Sequence, residues 1–212
     1  MTDRRTSRAE RTPEQVPEFH AVTGNPTVPP FPAHLARTVL GLGCYWGGEK
    51  VFWTLPGVYT TAAGYAGGVL AHPTYEEVCT GETGHIEFVQ LVYDPAIVGF
   101  EELLREFWEN HDPTQGDRQG IEVGRQYRSA IFVSDAAERA VAERSLEAYQ
   151  AALARAGHTA PITTAILDMP VFYYAAGHEQ QYLAHNPDGP VTQDPTRIDI
   201  HGRRREPLTL AG

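Results

Sequence analysis

Thr38-Val39-Leu40-Gly41-Leu42-Gly43-Cys44-Tyr45-Trp46-Gly47-Gly48-Glu49 joins a short apolar run to the start of a helical pattern. Thr38 to Leu42 is brief, apolar and interrupted by glycine, as a buried strand would be. After it, Trp46, Val51, Phe52 and Leu55 recur at helical spacing until Pro56-Gly57 closes the segment. Cys44 therefore falls at the N-terminus of a helix. Unpaired N–H groups and the positive end of the helix dipole favour an anion there, which lowers a thiol pKa and raises its thiolate fraction. Gly43 leaves room for a sharp strand-to-helix turn. On this evidence Cys44 is a candidate nucleophile, and the alternative is a small buried cysteine that only packs.

Working outward, residues 1 to 37 are polar and then rich in proline. Pro13, Pro17, Pro26, Pro29, Pro30 and Pro32 rule out a long helix, so an arm lying over the domain is expected. Arg4, Arg5, Arg8 and Arg11 alternate with Asp3, Glu10 and Glu14, which disfavours a targeting segment. Downstream, Val58 to Tyr65 reads as a second strand, followed by a long loop from Ala66 to Gly84. Ile86 to Tyr93 reads as a third strand ended by Asp94-Pro95, and Phe100, Leu103, Leu104, Phe107 and Trp108 form one helix face. A glycine-rich loop, Asp112 to Gln126, leads into a strand from Tyr127 to Val133. Strand, helix, strand, strand, helix, strand is the order of the split β-α-β unit, so the expected class is α+β, a ferredoxin-like two-layer α/β sandwich. Asp135 with Glu138 suits a capping box for a long alanine-rich helix that Gly157 stops. Ile162 to Leu167 can add a strand, and Gln180 to His185 a short helix. The expected organisation is an arm over 1–37, a catalytic domain over 38–186 and an irregular tail over 187–212.

The 212 residues, 42% of them hydrophobic, suffice for one sizeable core. A formal charge of -10 without a concentrated basic patch argues against nucleic acid or an anionic membrane as the main partner. Arg203-Arg204-Arg205 is read as solvated tail. No apolar stretch approaches the ~20 residues of a membrane helix, and the first 30 residues lack a hydrophobic signal core. A cytoplasmic monomer is expected. Two cysteines make no disulfide framework, and a reducing compartment keeps both as thiols.

Gly43-Cys44-Tyr45-Trp46-Gly47 closely resembles the Gly-Cys-Phe-Trp-Gly signature of the A-type peptide methionine sulfoxide reductases. The likeness continues through Glu49 to Val58, Gly64-Tyr65-Ala66-Gly67-Gly68, Pro73-Thr74-Tyr75, Thr83-Gly84-His85-Ile86-Glu87 and Phe107 to Pro113. It resumes at Gln126-Tyr127-Arg128-Ser129 and Gln180-Gln181-Tyr182-Leu183, in the family's order. The resemblance implies the same ferredoxin-like fold and reduction of methionine S-sulfoxide, in proteins or free, through a sulfenic acid on Cys44. It implies Glu87 as the proton donor, and burial near aromatic rings would raise that carboxyl's pKa enough for the task. Tyr75 and Tyr127 are implied as hydroxyl donors to the sulfoxide oxygen, and Tyr45 and Trp46 as the apolar wall for the S-methyl group. Read alone, Glu87 would be an exposed strand glutamate and the tyrosines packing residues.

Three departures from the family stand out. Glu122 takes the place of an aspartate five residues before Tyr127, and Tyr45 that of a phenylalanine. The tail after Gly189 has no cysteine, where many relatives carry resolving cysteines. Cys79 is expected to be a packed, structural thiol. The sulfenic acid would then be cleared by an external thiol, a thioredoxin-type protein or a small molecule, with no bound cofactor. Other readings are possible. His85-Ile86-Glu87 matches half of a zinc deaminase signature without its cysteine pair, so no metal is expected. Cys44 with His85 or His178 could make a cysteine hydrolase. A reductase-like module that binds methionine sulfoxide or a protein partner without turnover is the third.

Overall fold

The computed structural model describes residues 16–205. Four strands form the frame: β1 (Ala36–Gly41), β2 (Val58–Ala66), β3 (Ile86–Tyr93) and β6 (Ala130–Val133). Between them lie α1 (Tyr45–Phe52), α2 (Tyr75–Cys79), α3 (Phe100–Glu109) and a small hairpin of β4 (Arg118–Gln119) and β5 (Glu122–Val123). α4 (Ala136–Arg155), β7 (Ala165–Asp168), β8 (Tyr173–Tyr174) and α5 (Tyr182–His185) complete the order. The sheet runs β7-β6-β1-β3-β2-β8, and its middle four strands carry the antiparallel order of the split β-α-β unit. β7 adds parallel to β6 and β8 antiparallel to β2.

Every residue of β3 is buried, because the sheet is covered on both faces. Val89, Leu91 and Tyr93 face the core built with α1, α3 and α4, from Phe52, Leu104, Phe107, Trp108 and Tyr149. Ile86 and Phe88 alternate to the opposite face, where Ala66, Phe132, Met169 and Phe172 cover them. The same alternation puts Glu87 on the face that carries α1, opposite Tyr65 of β2.

Several elements differ in detail from the sequence expectation. The Ala66 to Gly84 loop contains α2, started by a capping box in which Thr74 Oγ1 accepts from the Glu77 N–H and Glu77 accepts from the Thr74 N–H. The Asp112 to Gln126 loop contains the β4–β5 hairpin, and Tyr127 closes a 3-10 turn instead of opening β6. At α4, Asp135 accepts from the N–H groups of Ala137 and Glu138, but Glu138 reaches back to the Ser134 N–H and so misses the reciprocal box bond by one residue.

The arm residues 1–15 and the last residues 206–212 lie outside the described residues. The rest of the arm follows β2, where His20 Nε2 meets Thr61 Oγ1 at 2.8 Å and Asn25 donates to the Tyr59 carbonyl. The tail runs back over the domain: Ile198 is fully buried and its carbonyl accepts from the Tyr149 hydroxyl. Arg205, expected to be solvated, pairs with the nearly buried Glu109 at 2.6 Å, because the returning tail carries it to the end of α3. Among the described residues no helix is long and apolar enough to cross a membrane.

α1 is tied to its surroundings by a carboxyl without exposure. Glu49 Oε1 accepts from Thr61 Oγ1 at 2.7 Å and from the Gln181 side chain at 3.0 Å, and Oε2 accepts from the Gln181 N–H at 2.8 Å. Burial pushes this carboxyl up to about 7 despite those donors. A raised folded-state pKa gives stability that is lost as pH rises from the ordinary carboxylate value through about 7. Burial lowers His20 and His111 to about 4, so their opposing effect is complete below the ordinary histidine value. Thermal unfolding should therefore fall in midpoint between pH 6.5 and 8.5. A Glu49→Gln variant should fall less steeply over the same range, measured by circular dichroism.

Candidate functional site

β1 delivers the chain to the site and Gly43 turns it. The Leu40 to Val89 pairing, continued two residues, brings Leu42 level with Glu87. Gly43 adopts φ +94, and a Cβ there would come within 2.6 Å of Gln119 Cγ, so both conformation and space require glycine. Cys44 is the N-cap of α1 and almost fully buried. From the far end of the chain, Gln193 donates its side-chain Nε2 to the Cys44 carbonyl at 2.6 Å. A Cβ on Gly47 would land on that side chain's oxygen, so the helix face is kept bare for it.

Glu87 rises from β3 under this turn. Its Oε2 accepts from the Tyr45 N–H at 3.1 Å, which places the carboxyl at the turn that carries Cys44. Burial is the main cause that pushes Glu87 up to about 8, with the nearby Glu179 and Glu122 carboxylates adding to it. The exposed-strand reading of Glu87 is thereby excluded, since the residue is 1% exposed.

The expectation that the helix start lowers the Cys44 thiol is corrected. The Trp46 N–H does favour the thiolate, but burial outweighs it and, with the Glu87 carboxyl, pushes the thiol well up. The Glu87 carboxylate disfavours the Cys44 thiolate, while the protonated Cys44 thiol favours the Glu87 carboxylate, so the two protonation equilibria are linked.

Tyr127 and Tyr75 come from the 3-10 turn and from the first turn of α2, and they act electrostatically on each other. Tyr127 is buried and Tyr75 is half exposed at the rim. Burial raises both phenols, so each remains an O–H donor. Glu122, on β5, is near enough to act electrostatically on Cys44, Glu87 and Tyr127. The five residues Cys44, Glu87, Tyr75, Tyr127 and Glu122 are therefore linked by a network of electrostatic interactions.

Tyr45 and Trp46 occupy the first turn of α1. The Tyr45 ring is buried and its hydroxyl meets the Tyr65 hydroxyl at 3.2 Å, so the oxygen that distinguishes it from phenylalanine is already partnered. Trp46 stacks on Tyr182 and donates its indole N–H to Glu179.

Sequence reasoning missed Glu179, Tyr65, Tyr182 and Gln193. Tyr65 and Tyr182 stand inside the matched blocks and signal themselves only as core aromatics, while Glu179 and Gln193 fall outside those blocks. Cys79 is also corrected. It is exposed at the end of α2, the helix in which Val78 alone is buried. His85 is buried with neither ring nitrogen partnered, and His178 is exposed beside Glu179. Neither is hydrogen-bonded to Cys44, as a hydrolase base would need to be.

A thiol held against a protonatable carboxyl, with two phenols beside it and an aromatic wall, is equipped to attack an electrophilic centre while protonating the atom that leaves it. Comparison with known proteins gives that centre a family. The family model described as peptide methionine sulfoxide reductase matches residues 36–205. Peptide methionine sulfoxide reductase MsrA of Azotobacter vinelandii is 57% identical over 182 residues, 86% of this chain and 83% of that protein. The enzyme of the same name from Rippkaea orientalis is 57% identical over 82% of this chain and 80% of its own length. Among solved structures, methionine sulfoxide reductase A of Corynebacterium diphtheriae superposes with a TM-score of 0.75 at 42% identity, covering 85% of this chain and 88% of that one. Reduced Mxr1 from Saccharomyces cerevisiae gives 0.70 at 31% identity, covering 78% and 93%. With the match running from the first strand to the end of the packed tail, the chain belongs to the MsrA family of peptide methionine sulfoxide reductases.

Proposed function

We propose that the thiol-dependent reduction of methionine S-sulfoxide, the reaction of this family, runs here through Cys44 as nucleophile and Glu87 as proton donor. The observation that carries the reading is the Glu87 carboxyl, 1% exposed, accepting from the Tyr45 N–H at 3.1 Å at the start of the helix whose N-cap is the almost fully buried Cys44. The Cys44 sulfur attacks the sulfoxide sulfur. Glu87 gives its proton to the sulfoxide oxygen and takes up the thiol proton, so the pair's proton inventory falls by one. The hydroxyl then passes from the substrate sulfur to the Cys44 sulfur, so the S–O bond and the newly formed S–S bond both break, a sulfenic acid is left on Cys44, and methionine departs. The thiol is oxidised by two electrons and the sulfoxide reduced by two.

Tyr127 and Tyr75 donate to the oxygen while its negative charge grows, which preorganised donors in a dry site do at low reorganisation cost. Glu122 orients that pair of phenols from β5. Tyr45 and Trp46 supply the apolar surface for the S-methyl group. Two equivalents of an external thiol, or one dithiol such as a thioredoxin-type protein, then return Cys44 to the thiol with release of water and a disulfide. A reducing cytoplasm suits that recycling. A binding module without turnover is less well supported, because thiol, acid and both phenols act electrostatically on one another.

Reduced protein without added thiol should release one equivalent of methionine from the S epimer of a methionine sulfoxide peptide and none from the R epimer. Cys44→Ser should release none. In Glu87→Gln the single-turnover rate should drop by ~10²–10⁴, the range for removing a general acid. Methionine formed at an unchanged rate in that variant would remove Glu87 from the mechanism.

The single-turnover rate should also fall as pH rises through about 8, where Glu87 loses its proton. Phenylalanine at position 127 should slow the reaction by about tenfold or more, and at the half-exposed position 75 by less, both read by rapid-quench kinetics.

A further inference from the structure

Trp46 is held from two sides. Its indole Nε1 donates to Glu179 Oε2 at 2.6 Å, and its ring lies on Tyr182 with centroids 3.8 Å apart and planes inclined by 13°. Glu179 belongs to the segment between β8 and α5 and is 6% exposed. Its second oxygen faces the exposed His178 imidazole at 3.4 Å. A carboxylate so enclosed loses most of its hydration, and one indole proton replaces only part of it. The fold nevertheless keeps the group against the first turn of the nucleophile's helix. Its electrostatic influence reaches Cys44, Tyr45, Tyr65 and Glu87.

We propose that Glu179 is a positioning residue for the reduction, which fixes the Trp46 ring as the pocket wall through the indole N–H and supplies a negative charge that keeps the reaction's proton on Cys44 and Glu87. The two roles separate chemically. A glutamine can accept the indole proton but carries no charge, while an alanine does neither.

The groups that act on Glu87 are Cys44 and Tyr45 of the first turn of α1, Tyr65 of β2, Tyr75 and Cys79 of α2, Glu122 of β5, Tyr127 and Glu179 itself. None of these is a cation. Removal of one of the two neighbouring carboxylate charges therefore eases loss of the shared proton. This inference rests on the assignment of Cys44 and Glu87 made above.

The test compares wild type, Glu179→Gln and Glu179→Ala with the S epimer of a methionine sulfoxide peptide and excess dithiothreitol from pH 6 to 9.5. In Glu179→Gln, KM should stay within about twofold, while the alkaline fall of kcat moves to lower pH by about half a unit, a ~threefold change in proton affinity. In Glu179→Ala the same shift should come with a KM raised ~10-fold, the scale of a disturbed pocket wall. Cys44 alkylation by iodoacetamide, followed by peptide-resolved mass spectrometry, reads the charge without turnover and should be faster in both variants at pH 8. Superimposable pH profiles together with equal alkylation rates would overturn the charge role, and an unchanged KM in Glu179→Ala would overturn the positioning role. Faster alkylation with an unmoved kcat profile would sustain the Glu179 charge and overturn Glu87 as the donor.

Discussion

Glu87 in a dry strand, with its carboxyl against the turn that carries Cys44, is the constraint to which the rest of the molecule is fitted. A carboxyl enclosed without a cation becomes a reservoir for a proton instead of a fixed charge. β3 can present it that way because both faces of the sheet are covered, one by α1, α3 and α4 and the other by Met169 and Phe172. Opening either cover would rehydrate the acid and return it to ordinary carboxylate behaviour. The core thus has a chemical duty as well as a mechanical one.

Catalytic reactivity here differs from the familiar picture of a cysteine made permanently anionic by a helix. α1 does offer the Trp46 N–H to Cys44, but it cannot outweigh the loss of water and the charge of the nearby Glu87 carboxyl. The thiol and the acid are better regarded as one two-proton unit. Such a unit stays quiet toward adventitious electrophiles and becomes nucleophilic when a substrate can accept the proton.

The sheet and its order were legible because hydrophobic runs and the Pro56-Gly57 and Asp94-Pro95 breaks mark the four main strands and two of the helices plainly. Ile86 to Tyr93 was placed to the residue. What escaped were short elements whose stability is tertiary. α2 is five residues long, and the β4–β5 hairpin has two residues per strand, too few to show a period. The residues expected at the site are linked to one another by electrostatic interactions. Glu179 and Gln193 could not be read from local pattern, because each works through a contact 133 or 149 residues away along the chain. Cys79 was misjudged because the general habit of thiols to be buried says nothing about a single-turn helix at a rim.

The distance in sequence between Gln193 and the Cys44 carbonyl has a consequence for biosynthesis. Translation delivers Cys44 149 residues before the amide that clamps its turn, and Trp46 133 residues before its partner Glu179. A ribosome-bound nascent chain carries the thiol without its assembled surroundings. The surroundings of Cys44 are therefore assembled only after the chain through Gln193 has been made.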